Sequence, residues 1–243
     1  MLVSEKVGKK NFAKKQNDFS KVHCLTVGEG LAPPAKSNHM KGAKMRTGIF
    51  GGTFSPIHNG HVKAARSFRD EMKLDVLYVI PDRIPPHKQI SGKDDPFLRL
   101  EMVKTALAGE EKMIVSDTEL KREGKSYTVY TLPEFTGNGE LFLLCGTDMF
   151  LTFDTWFRFE DIFRMCTLVL MQRETSSPAL RAEIEEKKKL YTEKYGAKIE
   201  MIKEEPFEIS SSEIRNMIAK GEDYSAYVPE SVREFIEEKG LYR

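Results

Sequence analysis

Two histidines three residues apart, His58 and His61, close the segment Gly48-Ile-Phe-Gly-Gly-Thr-Phe-Ser-Pro-Ile-His-Asn-Gly-His61. Gly51 and Gly52 let a ligand approach the backbone closely, and Thr53 and Gly60 continue the small or polar lining. A helix opening here, with Asn59 as its N-cap, offers unpaired N–H groups and positive potential, which suit phosphate. Two imidazoles beside such a helix start suit a phosphoryl group that gathers negative charge. The alternatives are metal ligation, for which no third ligand is near in sequence, and simple capping with the imidazoles turned to solvent.

A second anion site is written in Ile209-Ser-Ser-Ser-Glu-Ile-Arg215. Ser210 and Glu213 form a capping box, in itself only a helix start. Ser211 and Ser212 add hydroxyls and Arg215 a guanidinium one turn in, a set that suits a polyphosphate. In Pro85-Pro-His-Lys88 a rigid turn presents Lys88; read alone, it is an exposed loop lysine. In Ser126-Tyr-Thr-Val-Tyr-Thr-Leu132, Tyr127 and Thr128 are candidates for a polar pocket, and the single tryptophan, Trp156, for stacking on a flat ring. Each of these is more often core or cap than ligand site.

The elements that must position these residues alternate. Buried strands are expected at 47–51, 76–81, 113–116, 141–145, 167–171 and 198–202. The helix after the first strand shows an apolar face of Val62, Ala65, Phe68 and Met72, and the next one of Phe97, Leu98, Met102 and Ala106. Residues 178–195 form a lysine- and glutamate-rich exposed helix, and two more helices lie near 211–220 and 229–239. Strand–helix alternation predicts an α/β, doubly wound, mostly parallel sheet of Rossmann-like type, covered on both faces. Ligands bind such sheets at the carboxyl ends of the strands, where the order reverses. With an order of 3-2-1-4-5, the first and fourth strands flank that point. Gly146-Thr-Asp148 then faces the histidines, with Asp148 ready to accept hydrogen bonds from ribose hydroxyls.

Composition sets the limits. The 243 residues carry a net charge of +1, but residues 1–46 hold ten Lys/Arg against three acids, so a basic arm of +7 precedes a remainder of −6. The arm lacks periodicity and contains Pro33-Pro34. It is read as a disordered, solvated extension rather than a nucleic-acid contact, and 47–243 as one catalytic domain. No apolar run approaches the roughly 20 residues that span a bilayer, and no secretory h-region is present. Three scattered cysteines, Cys24, Cys145 and Cys166, suit a reduced, cytoplasmic protein. Sequence allows a homo-oligomer without indicating one.

Taken in order, these motifs resemble a known family. Gly51-Gly-Thr-Phe-Ser-Pro-Ile-His-Asn-Gly-His61 is similar to the ATP motif of the HxGH nucleotidyltransferases. Pro86-His-Lys88, Ser126-Tyr-Thr128, Gly146-Thr-Asp148, Trp156, Ile209–Arg215, Tyr227-Val-Pro-Glu and Gly240-Leu-Tyr look like the bacterial nicotinate-nucleotide adenylyltransferases, over about residues 47–243. The resemblance implies transfer of AMP from ATP, with Mg²⁺, to nicotinate mononucleotide. It implies that His58 and His61 meet the ATP phosphates and that Ser211, Ser212 and Arg215 hold the β- and γ-phosphates. Gly51, Gly52, Thr53, Gly60 and Asp148 border the adenosine. Lys88, Tyr127 and Thr128 face the mononucleotide, and Trp156 packs on its pyridine ring. Ser55 and Tyr130 stand where the family commonly has Asp. An HxGH adenylyltransferase acting on nicotinamide mononucleotide, the pantetheine-phosphate adenylyltransferases, which commonly have threonine in place of the first histidine, the cytidylyltransferases and class I tRNA synthetases are the alternatives, with a non-catalytic nucleotide-binding protein beside them.

Overall fold

The computed structural model describes residues 44–86, 94–137, 139–173, 177–204 and 209–243, apart from the side chains of residues 172, 173 and 204. Residues Lys44–Arg243 form one compact unit. Residues 1–43 of the basic arm and Lys88 lie outside the described residues, and so do the expectations attached to them, whereas Arg46, the last residue of the expected arm, opens the first strand.

The strands are β1 (Arg46–Gly52), β2 (Val76–Pro81), β3 (Met113–Val115), β4 (Glu140–Gly146), β5 (Thr167–Arg173) and β6 (Lys198–Glu204). The helices are α1 (Asn59–Glu71), α2 (Pro96–Ala106), α3 (Thr128–Thr131), α4 (Thr147–Leu151), α5 (Phe159–Met165), α6 (Pro178–Tyr195), α7 (Ser211–Lys220) and α8 (Glu230–Lys239). The strands make one six-stranded sheet in the order β3-β2-β1-β4-β5-β6. Every pairing is parallel. The expected sheet and its reversal between β1 and β4 are present, with β6 added beyond β5.

Strand alternation distributes the core to two faces. Phe142 and Leu144 of β4 join Phe68, Met102, Ile214, Ile218, Val232 and Ile236 from α1, α2, α7 and α8. Leu141, Leu143 and Cys145 of the same strand join Phe150, Phe153, Phe163, Ile184 and Tyr191 on the opposite side. A parallel sheet needs both faces covered, and these two clusters cover it. Burial pushes the Cys145 thiol upward and that of Cys166 up to about 12, so both stay neutral in the core. Among the described residues no helix is long and apolar enough to cross a membrane.

Two local expectations are corrected. The N-cap of α1 is His58, not Asn59. The buried face of α2 is Arg99, Leu100, Met102 and Val103, whereas Phe97 is 57% exposed. Asp95 explains the shift: its side chain accepts the Phe97 N–H at 2.8 Å and Pro96 follows it, so Phe97 falls in the solvent-facing first turn.

Candidate active site

β1 ends at Gly52 and the chain turns through residues 53–58 before α1 begins. Gly48 lies where the sheet packs against α1, since a Cβ there would sit 2.4 Å from Leu74 Cδ1 and 3.0 Å from a Phe68 ring carbon. Phe54 adopts φ 50, uncommon for a non-glycine residue, and is buried. The turn is held from two sides. On one, the Thr53 hydroxyl donates to Asp82 at 2.8 Å and Arg99 Nη1 donates to the Thr53 carbonyl at 2.7 Å. The Ser55 hydroxyl donates to Asp94 at 2.6 Å. On the other, Arg215 Nη1 donates to the Ser55 carbonyl at 2.7 Å and the Ser211 hydroxyl to the Pro56 carbonyl at 2.9 Å. Helix α7 therefore packs its N-terminal residues against the glycine–histidine turn. Arg215 Nη2 also donates to the Ser212 hydroxyl at 3.1 Å. The capping box expected at Ser210 and Glu213 is formed.

The two imidazoles differ. His58 is 7% exposed, and burial lowers its pKa to about 4, so it is neutral at pH 7. His61, half-buried, accepts the His58 backbone N–H on Nδ1 at 3.3 Å. An engaged Nδ1 leaves Nε2 to carry the ring proton and donate it. The His61 ring also stands edge-on to Phe54, 5.1 Å between centroids.

The other predicted residues lie along the same edge of the sheet. Gly146 ends β4 beside β1, and exposed Asp148 follows in the first turn of α4. The Ser126 hydroxyl accepts the Arg83 N–H at 2.9 Å, and the Ser126 N–H donates to Ile84 at 2.9 Å. Tyr127 and Thr128 are thereby tied to the loop leaving β2. Tyr127 packs on Phe157 at 4.8 Å, next to Trp156, which stacks on buried Phe153 at 4.6 Å. Two groups result: His58, His61, Ser211, Ser212 and Arg215 around the β1 turn, and Tyr127, Thr128 and Trp156 around α3.

Sequence reasoning missed the acids and the arginine underneath. Arg99, completely buried, lies 3.0 Å from Asp82 and 3.1 Å from Asp94. Glu119 is buried, accepts from the Thr131 hydroxyl at 2.6 Å, and has its pKa raised by burial. The available signal was an arginine on the face shared with Met102 and Val103, where a charge must be paired.

The family model of the cytidylyltransferase-like proteins matches residues 49–217. A Clostridium kluyveri protein named probable nicotinate-nucleotide adenylyltransferase is 37% identical, over 82% of this chain and 100% of its own. One of the same name from Pseudomonas fluorescens is 36% identical, over 82% and 97%. Among solved structures, the Plasmodium falciparum nicotinic acid mononucleotide adenylyltransferase complexed with NaAD aligns over 82% of this chain and 97% of that one. Its TM-score is 0.62 at 17% identity, a likeness of fold alone.

Proposed function

This chain belongs to the cytidylyltransferase-like family, and on that premise we propose that it transfers the adenylyl group of ATP to nicotinate mononucleotide, as a nicotinate-nucleotide adenylyltransferase. The products are nicotinate adenine dinucleotide and pyrophosphate, a step of pyridine-nucleotide biosynthesis. The observation that carries the reading is the contact of two anion-seeking helix starts at one turn, through Arg215 on Ser55 and Ser211 on Pro56. The names of the curated relatives, at 37% and 36% identity, support the acceptor.

In this reading a phosphate oxygen of the mononucleotide attacks the α-phosphorus of ATP in line. The bond from that phosphorus to the bridging oxygen breaks, and its electrons leave with pyrophosphate. No protein nucleophile takes part, so positioning and charge stabilisation do the catalysis. His61 donates from Nε2 to the α-phosphoryl group. His58 is neutral when the site is empty and gains affinity for a proton as phosphate charge arrives. Arg215, Ser211 and Ser212 hold the outer phosphates. Gly51, Gly52, Thr53 and Gly60 border the nucleotide, and Asp148 takes its ribose hydroxyls. Tyr127, Thr128 and Trp156 receive the mononucleotide, with Lys88 assigned to its phosphate.

Mg²⁺ is read as part of the substrate. The donors at the turn are imidazole, hydroxyl and guanidinium, which suit phosphate oxygens, and an ion that keeps its waters is commonly carried on such oxygens. Among the described residues no group of three His, Cys, Asp or Glu is placed to hold a metal. When carried in on ATP, the ion would neutralise charge on the leaving pyrophosphate. We assign the protein to the cytoplasm and residues 1–43 to an appendage outside the catalytic domain, which begins with the compact unit at Lys44.

The test is pyrophosphate release from ATP and Mg²⁺ with nicotinate mononucleotide, its amide, or phosphopantetheine as acceptor. Fastest turnover with the nicotinate form is expected. Preference for another acceptor would reassign the substrate, and silence with all three would remove the enzymatic reading.

A further inference from the structure

The hydrogen bonds at the β1 turn make a pattern the reaction does not require. Arg99 lies beneath the turn with two carboxylates beside it, and each grips an alternate residue. Asp82 accepts from the Thr53 hydroxyl at 2.8 Å and Asp94 from the Ser55 hydroxyl at 2.6 Å. Arg99 also holds the Thr53 carbonyl at 2.7 Å. The side chains of Arg99 and Asp94 are 1% and 9% exposed, so each charge depends on the other's presence. Ser55 is thus gripped twice, by Asp94 on its side chain and by Arg215 on its carbonyl.

We propose that Asp94 is a positioning residue for adenylyl transfer: clasped between Ser55 and Arg99, its carboxylate sets the turn that leads into His58 and receives Arg215. The inference rests on the adenylyl-transfer reading above and adds a residue to it. Ser55 occupies the position at which the family resembled by this sequence commonly carries aspartate. Here the carboxylate arrives from 39 residues further on and meets the serine across a hydrogen bond. A carboxylate of residue 55 itself would compete for the space and the arginine that Asp94 now occupies.

Around the Ser55 hydroxyl the surroundings suit one carboxylate and not two. A carboxylate only accepts, so the Ser55 proton points to Asp94. The Tyr242 hydroxyl lies 3.3 Å from the Ser55 oxygen. Burial pushes that phenol up to about 12, which keeps it neutral, and Asp94, Arg99 and Arg215 all act on it. A second carboxylate would repel the first at hydrogen-bonding distance.

Four variants test the assignment: Asp94→Asn, Asp94→Ser, Ser55→Asp, and Ser55→Asp combined with Asp94→Ser. Each is read for kcat, for KM of ATP and of the mononucleotide, for ATP affinity by calorimetry, and for thermal midpoint. Asp94→Asn keeps the shape and loses the charge. It is expected to lower kcat about 10- to 100-fold and to raise KM for ATP, with KM for the mononucleotide unchanged. A residue that merely stabilises the fold would lower the midpoint without that split. The double variant, which returns the carboxylate to residue 55, is expected to exceed both of its parent single variants in kcat. Asp94→Asn constants within about twofold of wild type, or a double variant no better than Asp94→Ser, overturn the proposal. If the serine variants unfold below the assay temperature, the Asp94→Asn split decides alone. A wild-type protein that neither turns over nor binds ATP refutes the adenylyl-transfer reading itself, an outcome distinct from unchanged constants in Asp94→Asn beside an active wild type.

Discussion

The imidazole rings of His58 and His61 lie 3.7 Å apart at their centroids, with their planes 30° from parallel. Rings that close cannot both carry a proton cheaply, and burial already holds His58 neutral. In the proposed reaction the pair would therefore present hydrogen-bond donors to a phosphate rather than two fixed charges, and burial of His58 ties the protein's stability to pH.

That linkage has a definite sign. The folded His58 value, about 4, lies below the ordinary unfolded value of 6.5, so the unfolded chain takes up the proton first as pH falls. The contribution is complete above about pH 6.5 and is lost as pH drops toward 4, to the extent of about 3 kcal/mol. Denaturant titrations of the ligand-free protein at pH 7, 5.5 and 4.5 should show this decline. His58→Gln should flatten it.

Arg215→Lys separates charge from geometry. The guanidinium fork reaches both the Ser55 carbonyl, at 2.7 Å, and the Ser212 hydroxyl, at 3.1 Å. An ammonium keeps the charge and cannot reproduce the fork. We expect turnover to fall ~10²–10³-fold, the range for loss of one well-placed donor. The thermal midpoint should move little, since a net hydrogen bond is worth about 1 kcal/mol.

Trp156→Leu reads the acceptor side. Trp156 already stacks on Phe153, so its removal costs about 1 kcal/mol of ring packing whatever else it touches. If it also meets the pyridine ring, KM for the mononucleotide should rise about tenfold, the equivalent of a further 1.4 kcal/mol, with KM for ATP unchanged. Initial rates with each substrate varied in turn distinguish the two contributions.

Gly48→Ala is a test of packing alone. The added methyl would sit 2.4 Å from Leu74 Cδ1 and 3.0 Å from both Leu77 and Phe68. Overpacking of this kind costs about 1–3 kcal/mol. A midpoint equal to wild type would show that these three side chains give way freely.

A chain beginning at Lys44 keeps the whole compact unit, Lys44–Arg243. Its kinetic constants and thermal midpoint are expected to match those of the full chain. A drop in either would assign the basic arm a role in the domain.

The strands were legible because they are short apolar runs bounded by breakers. The run at 76–81 coincides with β2, and the other five lie within two residues of their observed ends. The capping box at Ser210 and Glu213 was legible because its partners are three residues apart. The N-cap of α1 was misread because Asn59 is the better capper in isolation, whereas His58 takes the position through contact with His61. Phe97 was misread because its apolar character fits a helical stripe, and only the start set by Asp95 and Pro96 turns it outward.

What the sequence by itself determined was local: a glycine turn running into two histidines, a serine–arginine helix start, and a chain of strand–helix units that folds as a parallel sheet. Only the tertiary structure decided that Arg99 lies under that turn between Asp82 and Asp94, and that Ser55 meets Asp94 and Arg215. Those contacts join residues 39 and 160 positions apart. Their closeness follows from strand order and helix packing, which are set by burial of the whole core. Local propensity extends over a few residues and carries no information about which distant side chain will arrive.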